Sequence, residues 1–317
     1  MQMNPQPPLV TAIIPMYNGE RFVRDSVESV LSQTYSAIEI LVVDDGSTDR
    51  SIDVLAKYAG RLRLIRQPNA GVANARNAGV EASRGEIVAF LDQDDWWQPT
   101  KIEKQVSVFV SDPEVTLVHT GTAHFDDQAK KFVGRLNPNC AADKLVGSCY
   151  QRLLLDNCIY NSTVAVRRSA VRRVGGFDTT IAGNTVADYD LWLRLAKDGT
   201  FAFVPEELGV FRLHSSQGTW NRKEMLTAEF RMLSRYVTQQ MREDSKALRG
   251  RFARIHEMLG ISYLDAEQGA EARRCFSNAL AEERSLRRIG LYVATFLPAP
   301  VAEAMRTTKR ALKGVTG

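Results

Sequence analysis

No apolar run in this sequence is long enough to cross a bilayer. The longest, Ile289 to Leu297, is about nine residues, against the roughly twenty that a membrane-spanning helix needs. Met1 to Pro8 is polar and proline-rich, with neither a basic n-region nor an apolar core, so no secretory signal peptide is expected. Cysteine is scarce: Cys140, Cys149, Cys158 and Cys275 form no C-x-x-C pair. That argues against a zinc site and for a reduced, cytoplasmic chain. Phosphate-cradling glycine loops are missing too. No G-x-G-x-x-G follows the first apolar run and no G-x-x-x-x-G-K-[ST] occurs, which disfavours a dinucleotide dehydrogenase.

What is present is ordinary in bulk. The 317 residues, 44% hydrophobic and 25% charged, suffice for a large domain with an appendage or for two domains. The net charge of +4 is unevenly placed. From Arg284 onward seven basic residues face one acid, Glu303, so that tail carries +6 and the remainder about −2. A nucleic-acid binder would spread basic residues over its main domain. A basic tail points instead to an acidic partner or an anionic membrane surface, and no nucleic-acid partner is expected.

The first hundred residues alternate short apolar runs with amphipathic segments. Leu9 to Ile14, Ile38 to Val43, Leu62 to Ile65 and Glu86 to Leu91 read as buried strands. Between them, Val23, Val27, Val30 and Leu31 recur at helical spacing from Glu20 to about Ser32. Strand–helix alternation with near-continuous apolar strands predicts an α/β fold, a mostly parallel sheet with helices on both faces. Ligands of such sheets bind beyond the carboxyl ends of the strands. Three strand ends carry polar side chains of little packing value: Pro15, Tyr17 and Asn18; Asp44 and Asp45; and Asp92, Asp94 and Asp95.

Three carboxylates within four positions, Asp92 to Asp95, repel one another unless something offsets them. A divalent cation carrying a phosphorylated ligand would do so. A solvated acidic turn is the competing reading. The convergence of three polar strand ends favours a site. A ligand held by acids and a metal suggests a nucleotide-diphosphate conjugate. Asp44 or Asp45 can accept hydrogen bonds from its base or ribose, Tyr17 can pack on the base, and Asp94 can act on the diphosphate through a cation.

Together Pro15-x-Tyr17-Asn18, Val43-Asp44-Asp45-Gly46-Ser47-Thr48-Asp49, Ala75-Arg76-Asn77-x-Gly79 and Phe90-Leu91-Asp92-x-Asp94-Asp95 resemble the family 2 glycosyltransferases. Order and spacing match from about Val10 to Gln105, including the run Asp95-Trp96-Trp97-x-Pro99-x-Lys101-Ile102-Glu103. The resemblance implies a GT-A fold, a nucleotide-sugar donor, Mg²⁺ or Mn²⁺, and inversion at the anomeric carbon. It puts Asp92 on the ribose side and Asp94 on the metal, and carries Arg76 and Asn77 with the donor-binding set. Asp95 is expected to start the next helix, with Trp96 and Trp97 lining or supporting the acceptor side.

Further on, Val115 to His119 reads as a strand, and His124 to Asp143, polar and turn-rich, as a loop over the site. Leu191, Trp192, Leu195 and Ala196 mark a helix that opens at Asp188 or Asp190. An Asp there can be a plain N-cap. Inverting transfer, however, needs a carboxylate to take the proton of the attacking hydroxyl. In similar glycosyltransferases the Asp of an acidic pair opening this helix is that base. Asp188 occupies the position, although Ala187 stands where a Glu is common, and Asp190 is the second choice, on the acceptor side. Phe211-Arg212-Leu213-His214 matches the run that ends the catalytic domain in this family, with Arg212 toward the diphosphate and His214 toward the metal. The Gln-x-x-Arg-Trp element of a processive polymerase is absent, so one sugar per encounter is expected.

After Trp220 no proline occurs before Pro298, and the composition is that of helices. A catalytic domain at 1–220 and a helical region at 221–317 are expected. His256, Leu259, Gly260, Tyr263, Ala272, Phe276 and Ala279 resemble one tetratricopeptide unit at about 253–285. A single unit must pack on something else, so a homo-oligomer or a protein partner is one outlet for it. The tail from Leu286 to Lys313 mixes apolar and basic residues and suits an anionic membrane, at its inner face. The expected activity is metal-dependent inverting sugar transfer from a nucleotide-diphosphate sugar to a hydroxyl of a glycan, lipid-linked or other acceptor, in cell-surface polysaccharide or glycoconjugate assembly. The alternatives are a nucleotidyltransferase on a similar sheet and a non-catalytic helical scaffold.

Overall fold

The computed structural model describes residues 6–134, 141–181, 186–215 and 222–296. It divides into two compact units, Met1–Trp220 and Asn221–Gly317.

In chain order the first unit runs β1 (Val10–Met16), α1 (Val23–Leu31), β2 (Ile38–Asp44), α2 (Ser51–Ala56), β3 (Arg63–Arg66), α3 (Val72–Ala82), β4 (Ile87–Phe90) and β5 (Trp96–Trp97). It continues with α4 (Lys101–Ser111), β6 (Val115–Asp126), β7 (Lys131–Val133), α5 (Tyr150–Leu155), β8 (Ala165–Arg167), α6 (Arg168–Arg173), α7 (Ala187–Ala196) and β9 (Thr200–Leu213). The sheet order is β3-β2-β1-β4-β8-β6-β9-β5, with β7 paired to β6. Strands β3, β2, β1 and β4 are parallel, which their apolar runs foretell. Beyond β4 the sheet is mixed: β8 is antiparallel to β4 and to β6, β9 parallel to β6, and β5 antiparallel to β9.

Strand β1 is buried along its whole length because it lies between β2 and β4 under helices. Helix α1 turns Val23, Val27 and Val30 into this core. Helix α3 comes so near β1 that a Cβ on Gly79 would lie 2.4 Å from Ile13 Cγ2. Pro15 sits inside β1 rather than ending it. It is tolerated because the β1–β4 ladder stops at Ile13 and Phe90, so on that side no bond needs its missing N–H.

Two boundaries differ from expectation. Strand β6 runs on to Asp126, so the segment read as a loop from His124 begins inside the sheet; its residues 135–140 lie outside the described residues. Helix α4 begins at Lys101, not at Asp95, because Asp95 is drawn into the interior. Cys149 and Cys275 are free thiols, whereas Cys158 is disulfide-bonded, which the expectation of a reduced chain did not include.

The second unit comprises α8 (Arg222–Tyr236), α9 (Gln239–Asp244), α10 (Lys246–Asp265), α11 (Gly269–Glu282) and α12 (Leu286–Ala294). Hydroxyl caps open three of these helices, with Thr238, Ser245 and Ser285 side chains accepting from Met241, Leu248 and Arg288 N–H groups. Helices α10 and α11 pack at close range, Gly260 lying against the Phe276 ring where a Cβ would stand 2.6 Å from Cε1. Burial holds the His256 imidazole down at about 4, with its ring 4.8 Å from that of Phe230. Most of the expected membrane-binding tail, from residue 297 on, lies outside the described residues.

Candidate active site

The chain leaves β4 through Asp92, Gln93, Asp94 and Asp95, and each side chain finds a different partner. Asp92 Oδ1 accepts from Arg76 Nη2 at 2.6 Å and from Asn161 Nδ2 at 2.9 Å. The Gln93 amide pairs with the main chain of Tyr17, accepting its N–H at 2.9 Å and donating to its carbonyl at 3.1 Å. Asp94 Oδ2 lies 2.9 Å from His214 Nε2. Asp95 is buried, accepting from Ser162 Oγ at 2.6 Å and from the Arg212 N–H at 3.0 Å. Burial, reinforced by the charges of Asp94 and Asp92, pushes the Asp95 carboxyl well above its ordinary range. The repulsion expected from the sequence is thus dispersed over Arg76, His214 and Ser162.

At the ends of β1 and β2 the polar residues mostly hold one another. Asn18, at φ 49°, accepts the Thr48 N–H at 2.9 Å, and its own N–H donates to Ser47 Oγ at 2.9 Å. Asp44 is buried, accepts the Ser47 N–H at 3.0 Å and meets Arg66 Nε at 3.3 Å. Asp45 is buried too. Its oxygens take Gln67 Nε2 at 2.7 Å and the N–H groups of Ala70 and Gly71 at 2.9 and 2.8 Å. These carboxylates shape the loops into α2 and α3. Tyr17 is 46% exposed, which leaves its ring open to a ligand.

Helices α3 and α7 bring two further charged side chains, Arg76 and Asp188, into the surroundings of Asp92. Arg76 is buried, with its guanidinium 5.4 Å from the centre of the Phe177 ring. Asn77 exchanges hydrogen bonds with the main chain of Phe177. Asp188 lies in the first turn of α7, behind Val186 at the cap, and Oδ1 accepts from the Tyr189 N–H at 2.8 Å. Desolvation raises its carboxyl above the ordinary range; Arg76 pulls it down and Asp92 pushes it up, so all three share one electrostatic neighbourhood. Asp190 is buried instead and pairs with Arg194 at 2.7 Å.

From the end of β9 come Arg212 and His214. Arg212 is buried and makes charge-assisted bonds to Asp127 Oδ1 at 2.9 Å and Asp25 Oδ2 at 2.6 Å. The resemblance puts this guanidinium toward the diphosphate; in the structure it is buried and bonds the Asp94 carbonyl and the carboxylates of Asp127 and Asp25. Trp96 lies under it, 4.6 Å away, and against Phe125. Trp97 is buried and donates Nε1–H to the Ser162 carbonyl at 2.7 Å, so it supports the site from inside rather than lining it.

The residues that the sequence did not announce are Asn161, Ser162 and Asp127. The first two lie in the turn before β8, and Ser162 Oγ also accepts the Asp92 N–H at 3.1 Å. Behind this turn Gln105 donates to the carbonyls of Val118 and Thr163 and accepts from Lys101 Nζ at 2.8 Å. Lys101 is wholly buried, 4.1 Å from the centre of the Trp97 ring, and burial drives its ammonium well below the ordinary lysine range. The only hint in the sequence is a polar triplet, Asn161-Ser162-Thr163, just ahead of an apolar strand.

Among the described residues no group of three or more His, Cys, Asp or Glu side chains forms a metal cage. Asp94 and His214 supply an oxygen and a nitrogen at one point. Such an oxygen–nitrogen pair suits Mn²⁺ better than Mg²⁺, which prefers oxygen ligands and would be held chiefly through the Asp94 carboxylate with phosphate oxygens and water.

The profile described as Glycosyl transferase family 2 matches residues 11–178. An uncharacterized glycosyltransferase of Rickettsia typhi is 31% identical over 221 residues, 69% of this chain and 68% of that protein. Two solved structures share the fold. S. aureus TarS 1-349 in complex with UDP-GlcNAc has a TM-score of 0.59 at 14% identity, covering 95% of this chain and 92% of that one. The mannosyltransferase PcManGT from Pyrobaculum calidifontis, in complex with GDP-Man and Mn2+, has a TM-score of 0.62 at 20% identity, covering 97% and 81%.

Proposed function

This chain belongs to glycosyl transferase family 2 and is a glycosyltransferase; on that premise we propose metal-dependent transfer, with inversion, from a nucleotide-diphosphate sugar to an acceptor hydroxyl. The observation that carries this reading is the split of the loop after β4. Asp92 turns toward Arg76, whose charge also acts on Asp188, and Asp94 toward His214. One short loop thereby links a cation-holding pair to a carboxylate of raised proton affinity.

The nucleotide lies beyond the ends of β1 and β2, with Pro15, Asn18, Asp44 and Asp45 shaping its bed and the exposed Tyr17 ring packing on the base. Asp92, fixed by Arg76 and by the Asn77-anchored segment, faces the donor's ribose. A divalent ion held by Asp94 and His214 would supply charge neutralisation for the leaving diphosphate. Asp188 takes the acceptor hydroxyl's proton as the new bond forms to the anomeric carbon. The bond to the diphosphate oxygen breaks, and its electron pair leaves with the diphosphate. Trp96 borders the acceptor side, while Trp97 and Asp190 support it from the interior. Like TarS and PcManGT, which were solved with UDP-GlcNAc and with GDP-Man and Mn2+, the chain would take a nucleotide sugar. The test is transfer from a panel of UDP- and GDP-sugars with Mn²⁺ by wild type, Asp94→Asn and Asp188→Asn. Undiminished transfer by both variants would sink the assignment.

The acceptor is a glycan or lipid-linked hydroxyl in cell-surface assembly, reached by peripheral contact with an anionic membrane. No helix among the described residues is long and apolar enough to cross one. Leu286, Ile289, Val293 and Phe296 are exposed at helical spacing along and just after α12, beside Arg284 and Arg287. Cosedimentation with anionic but not zwitterionic vesicles, lost in Ile289→Glu, is the expected result; equal binding to both vesicle types would remove the reading.

A further inference from the structure

Asp94 is held twice from the end of β9. His214 meets its carboxylate at 2.9 Å, and Arg212 Nε donates to its carbonyl at 2.8 Å. Its Nη1 and Nη2 also donate to Asp127 Oδ1 and Asp25 Oδ2. Its plane lies 4.6 Å from the Trp96 ring centre and 5.0 Å from that of Phe22. The Phe22 ring in turn packs 4.4 Å from the His214 imidazole. A planar fork bonded to three acceptors and packed against two rings is held in one seat.

Asp127 defines that seat from the turn between β6 and β7. It is buried, its N–H donates to the Leu213 carbonyl at 3.0 Å, and its carboxylate also takes Arg21 Nη2 at 2.5 Å and Lys130 Nζ at 2.8 Å. Resting on the reading of Asp94 and His214 as the cation-holding pair, we propose that Asp127 is a positioning residue for that pair, acting through Arg212. Without the Asp127 charge, the guanidinium loses its buried counter-ion. Beside Asp25, a partly open carboxylate for it to turn to is that of Asp94, whose carbonyl Arg212 Nε already holds. An Arg212 that turns toward it lets go of the Asp94 carbonyl and competes with the cation for the same oxygens.

A purely structural Asp127 would instead pin the β6–β7 turn through Lys130. Four full-length proteins separate the two: wild type, Asp127→Asn, Lys130→Ala and Asp25→Asn. Free Mn²⁺ is followed by electron paramagnetic resonance, and UDP and GDP binding by thermal shift across the same Mn²⁺ series. Asp127→Asn is expected to raise the Mn²⁺ midpoint by about 10–100-fold while keeping a cooperative melt. Lys130→Ala is expected to melt earlier with an unchanged midpoint. A folded Asp127→Asn with the wild-type midpoint, or an equal shift in Lys130→Ala, overturns the proposal. Should Asp127→Asn not fold, Asp25→Asn, altered at the exposed side of α1, decides: a several-fold rise supports the proposal and no rise overturns it. A wild type that takes up no Mn²⁺ with either nucleotide overturns the cation reading itself, and the Asp127 role with it.

Discussion

Asn77 and Phe177, 100 residues apart in sequence, exchange two hydrogen bonds. Asn77 Oδ1 accepts the Phe177 N–H at 2.8 Å and Nδ2 donates to the Phe177 carbonyl at 2.9 Å, so one side chain pairs with main chain as a strand would. Gly175 and Gly176, at φ 83° and 71°, turn the chain into this grip. A Cβ on Gly176 would stand 2.5 Å from Asn77 Oδ1.

Asn77→Ala therefore leaves an N–H and a carbonyl without partners and is expected to cost about 1–3 kcal/mol in denaturant unfolding. Gly176→Ala should lose a similar amount, about 1–3 kcal/mol, through backbone strain and the clash. Stability within error of wild type in both variants would show the grip to be idle.

The two acids of α7 are expected to part company on mutation. Asp188→Asn should lower the transfer rate by about 10²–10⁴-fold while nucleoside diphosphate still binds. Asp190→Asn strips the buried partner of Arg194 and should mainly lower the melting temperature. Rate loss confined to Asp190→Asn, in folded protein, would move the base to that residue.

The pH profile follows from the sign of the Asp188 shift. Only the ionised carboxylate accepts a proton, and its pKa is raised above the ordinary 3.8. Transfer should be full above that raised value and fall as pH drops through it, before the acid range of a free aspartate is reached. An initial-rate profile in which the acid limb lies at or below the ordinary value would contradict this, provided nucleotide binding is constant across it.

The parallel half of the sheet was legible because β1, β2 and β4 are largely apolar and each is followed by a polar, turn-forming stretch. Of the mixed half only the start of β6, Val115 to His119, was read: β5, β7 and β8 are two or three residues long and carry no period, and the alternation of β9 is interrupted by the exposed Pro205-Glu206-Glu207. Of the candidate site residues, Asp94 meets His214 and Asp92 meets Arg76, while the main chain of Tyr17 pairs with Gln93 between those two acids. Sequence reasoning had no means of dividing labour among like groups. Asp45 and Asp94 look equivalent on paper, yet one takes the N–H groups of its own loop and the other meets His214. Asn161, Ser162 and Asp127 were missed because their partners arrive from β4 and β9, a distance that no local pattern encodes.

Ser162 gives a stability prediction of its own. Its hydroxyl bridges the Asp92 N–H and the buried Asp95 carboxylate. Ser162→Ala should cost about 1–3 kcal/mol by leaving both short of a partner. Denaturant unfolding at pH 7 measures it, and stability within error of wild type would show the bridge to be idle.

Lys101 offers a clock for the mixed half of the sheet, where its neighbour Trp97 lies in β5 and its neighbour Gln105 meets β6 and the turn before β8. A shielded amine with depressed basicity is intrinsically reactive toward acylating reagents, but no reagent reaches it while Trp97, Gln105 and the turn at Asn161–Thr163 stay closed. Its acylation must wait for the chain to open. The labelling rate of this one amine, read by peptide mass, would therefore report how often the ground beneath Asp92 and Asp95 gives way, and whether a bound nucleotide slows that breathing.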